Sequence, residues 1–235
     1  MQSWLKLSPR VFLHTVGITP PWLPEGGIAL PQLPSDAFGD GSHPTTRLCS
    51  GAVDLQCRLQ RPQSLLDVGT GTGVLARIAR ARGTPFVVAT DIDPHAMAAA
   101  RANMALDQDP SKTLGEILVS NSPPDTWGSR FDLVVANILE SPLRELAPSL
   151  MSALAPGGTL LLSGFTPLQV PILRSIYTEL EYISESTLGE WSLLMFRPIK
   201  PNEPSAFNRK FYKFRNQISL RRVVEQFIPE KMPKV

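Results

Sequence analysis

Cysteine is scarce in this 235-residue chain: Cys49 and Cys57 are the only two, eight apart in one helix-like run. Two thiols cannot build the disulfide framework of a small secreted scaffold, and no metal-ligand spacing surrounds them. They read as reduced and buried, which favours a cytoplasmic protein. Long apolar runs are missing too. None approaches the ~20 residues of a membrane-spanning helix, so the expectation is a soluble protein. No secretory signal is evident. The first 24 residues hold no acidic residue, as in a mitochondrial-type presequence, but Pro20, Pro21 and Pro24 interrupt any long amphipathic helix.

What is present suffices for a core. Hydrophobic residues make up 43%, and the length suits one domain with trimmings, or two at most. The charge is uneven. Residues 200–235 contain nine Lys/Arg and three Asp/Glu, a net +6, so the rest carries −4 of the chain's +2. The expected partition is an extended N-terminal segment or linker over 1–36, a globular domain over 37–199 and a basic, aromatic tail over 200–235.

Within 1–36 only GIALPQL reads as a strand. A helix follows from His43 to Leu59, with Pro44 in its first turn, where a missing N–H costs nothing. Strand and helix patterns then alternate. SLLDVG, FVVATDI, EILVS, FDLVVANI and TLLLSGF read as strands. VLARIARAR, PHAMAAARANMAL, SPLRELAPSLMSAL and LQVPILRSIYTEL read as helices. YISESTLGEWSLLMFRP reads as a hairpin turning at Leu188-Gly189. Continuous apolar strands alternating with amphipathic helices predict an α/β fold, a parallel sheet covered on both faces. The hairpin predicts an antiparallel strand at its edge.

The sharpest local motif is LLDVGTGTGVLARIA, a strand running through Gly69, Gly71 and Gly73 into a helix. A dinucleotide fingerprint would need its third glycine at Val74; here it comes one position early. That spacing, with Asp67 two residues before the first glycine, resembles the turn that holds S-adenosylmethionine in class I methyltransferases. A ligand-free turn and a nicotinamide site are the competing readings. Eighteen residues after Gly73, Asp91 closes the next strand. A carboxylate there accepts hydrogen bonds from both ribose hydroxyls of an adenosine. Asp93 reads as the cap of the helix beginning at Pro94.

Asn137 is a lone amide at the end of an apolar strand. Its carbonyl accepts a hydrogen bond from an incoming amine, or else it caps the turn that follows. The loop AFGDGSHPTT, residues 37–46, lacks what two common sites need. It has no lysine and follows no strand, so it is no phosphate loop. Asp40 and His43 have no third partner at metal spacing, so no metal is expected.

AFGDGSHPTTRLC, LLDVGTGTGVLA with TDIDP, and VVANILESPLRELAP followed by LAPGGTLLLSG together resemble the PrmA family. The resemblance runs from Ile18 to Arg197. It implies a class I methyltransferase: a Rossmann-like, mostly parallel seven-stranded sheet with helices on both faces and an antiparallel terminal hairpin. It implies S-adenosyl-L-methionine as cofactor and a protein substrate, ribosomal protein L11 or a related lysine substrate. The cofactor contacts it implies are Thr46, Gly69, Asp91 and Asn137, with Ala37, Phe38 and Gly39 over the cofactor as a lid and Gly71 in the same turn. Asn137 and Thr46 are the candidate catalytic residues. His43 reads as a helix-start residue.

Three positions depart from the family pattern: Asp40 and Ser42 stand where threonines are usual, and Glu140 replaces a small residue. Family members also carry a separate N-terminal substrate-recognition domain, and about 36 residues before the loop are too few for one. The competing functions are a small-molecule amine methyltransferase and a non-catalytic binding or scaffold protein. In the tail, Phe207, Phe211, Tyr212 and Phe214 interleave with Arg209, Lys210, Lys213 and Arg215. That pattern suits RNA or ribosome contact, or a helix with one aromatic face packed on the domain.

Overall fold

The main sheet follows from strands that bury both faces. In β4 (Ser64–Val68) every residue is buried. Leu65 joins a core with Val53 and Ile78, while Leu66 and Val68 join one with Leu150 and Tyr177 on the opposite face. This computed structural model describes residues 4–18, 20–107, 117–128 and 131–199. The tail at 200–235 and the reading of it lie outside those residues.

β4 pairs in parallel with β5 (Phe86–Thr90) on one side and β7 (Phe131–Asn137) on the other. β6 (Ile117–Ser120) extends the sheet beyond β5, and β8 (Leu154–Phe165) beyond β7. The order is β6-β5-β4-β7-β8-β10-β9, with β9 at Leu180–Leu188 and β10 at Trp191–Pro198. Chain direction away from β4 reverses between β5 and β7. In open α/β sheets that switch point is where ligands enter, at the carboxyl ends of the strands.

The hairpin corrects one expectation. The antiparallel strand is not at the edge: β10 inserts between β8 and β9 and runs antiparallel to both. Burial decides this. Residues 192–196 of β10 are all buried, whereas β9 alternates between buried and exposed positions from Ser184 to Thr187. The more apolar strand takes the inner place.

α1 (Pro44–Gln60), α2 (Val74–Ala81) and α3 (Pro94–Leu106) cover one face. α4 (Glu140–Glu145), α5 (Ala147–Ala153) and α6 (Val170–Ile176) contribute to the other core. The single helix expected over SPLRELAPSLMSAL is two. Pro148 has no N–H for the Arg144 carbonyl, and its ring crowds the preceding turn.

The N-terminal stretch is more ordered than a linker. β1 (Trp4–Ser8) and β2 (Val11–Thr15) pair antiparallel, and β3 (Ile28–Gln32), the strand expected in GIALPQL, runs parallel to β2. Leu7, Val11, Leu13 and Leu30 of this small sheet join Leu48 and Val53 of α1 in one core. The fully buried Arg77 ties it to the main domain: its guanidinium meets both Asp107 oxygens at 2.7 Å and donates to the Pro31 carbonyl.

Candidate active site

At the switch point a cavity of about 620 Å³ opens between the ends of β4, β5 and β7 and the loop before α1. This is the size and place of a small-ligand site. Ala37, Phe38, Gly69, Gly71, Asp91 and Asn137 all line it, so six of the eight residues expected from sequence converge. Thr46 and Gly39 do not line it. Thr46 is 1% exposed in α1 and its hydroxyl has no partner among the described residues; Thr45, one residue earlier, lines the cavity instead.

The glycine turn and the loop ahead of α1 are joined. Thr72 N–H donates to the Phe38 carbonyl at 2.9 Å, and the Thr72 hydroxyl donates to the Gly39 carbonyl at 2.7 Å. Gly71 sits at φ 54°, and a Cβ there would strike the Phe38 carbonyl oxygen. Only glycine lets the two backbones approach this closely.

Asp91 holds the turn from the other side. One carboxylate oxygen accepts from Gly71 N–H at 2.9 Å and the other from Asp93 N–H at 3.0 Å. Each oxygen has two lone pairs, so one acceptor site per oxygen remains for a ligand diol. Asp93 caps α3 through His95 N–H, as expected.

Asn137 is 9% exposed and lines the cavity, and its side-chain oxygen is buried with no partner among the described residues. It does not cap the next helix; the N-cap of α4 is Leu139, with no side-chain cap. Buried acceptors are nearly always paired, so this one is arranged for a donor that enters the cavity. The following residue, Ile138, fixes its direction. A Cβ at Gly164 (φ 101°) would strike the Ile138 carbonyl, and one at Gly69 would strike its side chain. Sequence reasoning misses Gly164, because a glycine inside TLLLSGF looks like a weak strand position rather than the seat of a loop on another strand.

Two further groups complete the walls. The His43 ring caps α1 by accepting from Thr45 N–H, which requires an unprotonated Nδ1. Burial lowers its pKa, against the opposing charge of Asp40. The ring packs edge-on against Trp191, centroids 4.6 Å apart, and against Phe38 at 5.2 Å. Trp191 lines the cavity from the hairpin; nothing local in GEWSLL marks it. Asp67, behind the turn, accepts from the Thr70 hydroxyl and Ala76 N–H on one oxygen, and its other oxygen has no partner. Burial pushes its carboxyl up to about 7, against those two hydrogen bonds, and the charge of Asp91 adds to the rise. Glu140 does not line the cavity; it lies 3.6 Å from Arg144.

The family described as "Ribosomal protein L11 methyltransferase (PrmA)" matches residues 6–198. The ribosomal protein L11 methyltransferase of Geobacter sulfurreducens is 40% identical over 194 residues, covering 80% of this chain and 62% of that protein. Its counterpart in Burkholderia thailandensis is 39% identical over 184 residues, covering 75% and 58%. The chain thus spans about three fifths of the length of these curated relatives. Among solved structures, a ribosomal protein L11 methylase from Lactobacillus delbrueckii subsp. bulgaricus superposes with a TM-score of 0.70 at 29% identity, covering 83% of this chain and 98% of that one.

Proposed function

The chain belongs to the ribosomal protein L11 methyltransferase (PrmA) family, and on that premise we propose that it transfers methyl groups from S-adenosylmethionine to amino groups of a protein. The observation that carries this reading is Asn137: a buried side-chain oxygen with no partner among the described residues, on the wall of a mostly apolar cavity. The family's printed name supports a ribosomal protein as the substrate.

The residues present fit the cofactor. Asp91 retains an acceptor on each oxygen for the ribose hydroxyls, and Gly69 and Gly71 offer backbone that no Cβ obscures. Ile92, 94% exposed, and Ala96 give apolar surface beside Asp91. Phe38 forms the cover on the cavity wall, and Gly39 beside it is held by the Thr72 hydroxyl. Bound there, the cofactor supplies an electrophilic methyl group on a sulfonium.

The remaining work is positioning. The Asn137 oxygen accepts an N–H of the substrate amine and so aims the nitrogen lone pair. The apolar walls disfavour the charged ammonium, lowering a lysine pKa from its usual ~10.4. Alignment and exclusion of water supply most of the acceleration in an in-line displacement. The same reading takes 37–199 as the methyltransferase domain and 200–235, with its net +6, as a contact to RNA or the ribosome.

Incubation with radiolabelled S-adenosylmethionine and ribosomal extract tests the reading. A labelled ribosomal protein whose label resides on amino nitrogen is expected. Label on small molecules alone, or none, overturns it.

A further inference from the structure

A second cavity, of about 560 Å³, adjoins the active one. Its walls come from β1 and β2 (Trp4, Leu13, His14, Thr15), from the segment 32–42, and from Arg47 of α1. Asp36 lines both cavities, so they meet at one residue.

The polar groups facing this groove are mostly acceptors. His14 is 9% exposed, and its Nδ1 lies 3.0 Å from the Thr15 carbonyl oxygen. A carbonyl can only accept, so in the neutral ring Nδ1 carries the proton and Nε2 presents a lone pair. No partner for Nε2 occurs among the described residues. Asp36 and Asp40 form no ion pair among the described residues. One Asp40 oxygen holds Ser42 through its N–H and hydroxyl, which leaves the other oxygen uncommitted. Among the described residues Arg47 is the one Lys or Arg in the wall, and its Nε is already given to the Gly41 carbonyl.

We propose that this groove seats the polypeptide flanking the amino group to be methylated, and that it selects a lysine- or arginine-rich segment. The inference rests on the protein-methylation reading above. Two carboxylates and an imidazole lone pair against one guanidinium favour a cationic, donor-rich occupant. The Trp4 ring adds a face on which a guanidinium stacks. A segment crossing Asp36 carries its next side chain into the active cavity. Asp40, one of the departures from the family pattern, thereby acquires a role in substrate choice.

Three synthetic peptides test this, each with one acceptor lysine flanked by Arg, Gln or Glu. Binding is read by fluorescence anisotropy without cofactor, and methyl transfer by KM and kcat. The Arg-flanked peptide binds tightest, and added salt weakens it. Asp40→Asn weakens that peptide about two- to fivefold, the span of one exposed ion pair. The change falls on KM rather than kcat and spares the Gln-flanked peptide. His14→Gln, which keeps an acceptor, binds closer to wild type than His14→Leu. Equal binding of all three peptides overturns the proposal, as does an Asp40→Asn effect common to all three. So does tighter binding of a peptide copied from residues 207–222, which would make the chain's own basic segment the occupant. Arg-selective binding without methyl transfer to any peptide would overturn the enzymatic reading and leave the groove's selectivity standing.

Discussion

The backbone N–H of Thr72 donates to the carbonyl of Phe38 at 2.9 Å, a bond between two loops 34 residues apart in sequence. With the Thr72 hydroxyl on the Gly39 carbonyl, it makes the cover over the cavity and the glycine turn one unit. The cover is held in place by the turn proposed to bind the cofactor, so each depends on the other.

Thr72→Val keeps the shape of the side chain and removes the hydroxyl. The Gly39 carbonyl then loses its partner, at a cost of about 1–3 kcal/mol for a buried acceptor left unmade. The expected result is a lower melting temperature together with weaker binding of S-adenosylmethionine by calorimetry. A fall in stability with undiminished affinity would separate the cover from the cofactor site.

Asn137→Ala removes the cavity's orphan acceptor without touching the turn proposed to hold the cofactor. Methyl transfer is expected to fall by about 100-fold, the cost of losing a positioning contact at the reacting centre. Cofactor affinity is expected to change far less. Single-turnover kinetics at saturating cofactor checks this; an unchanged rate would remove Asn137 from the mechanism.

Asp67 predicts a pH dependence of stability. Its carboxyl sits at about 7 in the folded chain against an ordinary value of 3.8, so the folded state holds its proton more tightly than the unfolded one. The contribution is fully present below pH about 4 and is lost as pH rises through about 7. Asp67→Asn removes this loss. Measured by urea unfolding, the stability difference between the two proteins should shift in favour of the variant as pH rises from about 4 to about 7, then level off. A difference that stays constant across that range would contradict the assignment.

Asp107 is the counter-ion of two buried guanidiniums, Arg77 at 2.7 Å and Arg80 at 2.9 Å. Asp107→Ala strands both charges, and removal of one partner of a buried pair costs about 3–5 kcal/mol. Arg77 also reaches the Pro31 carbonyl, so the small N-terminal sheet should loosen with it. Hydrogen exchange at β2 and β3 should rise more than at β7 or β8. Uniform loss across the main sheet would contradict the link.

Much of the fold is legible along the chain. Runs such as SLLDV and FDLVVAN are mostly apolar because both faces of a parallel strand are covered. Pro44 and Pro94 open helices because position N1 needs no donor. The candidate site is half legible. Asp91 and Asn137 stand at strand ends, where a polar side chain interrupts an apolar run, and the glycine turn announces itself by spacing. Trp191 and Gly164 do not. Trp191 lines the cavity only because β10 pairs with β8, and Gly164 only because β8 pairs with β7, where Ser163 lies opposite Asn137.

Residue order and polarity alone therefore determined the alternating α/β pattern, the glycine turn and the acidic and amide residues at the strand ends, since each is a local consequence of period, burial or backbone geometry. Tertiary structure decided which strand of the hairpin lies inside, that WLKLS and VFLHT form a sheet against α1, and that the loop at 37–46 is bonded to the turn at 69–73. Those outcomes depend on which surfaces meet. The energy of burying Leu7 or Leu13 on α1, or of pairing Thr72 with Phe38, exists only once segments distant in sequence have come together.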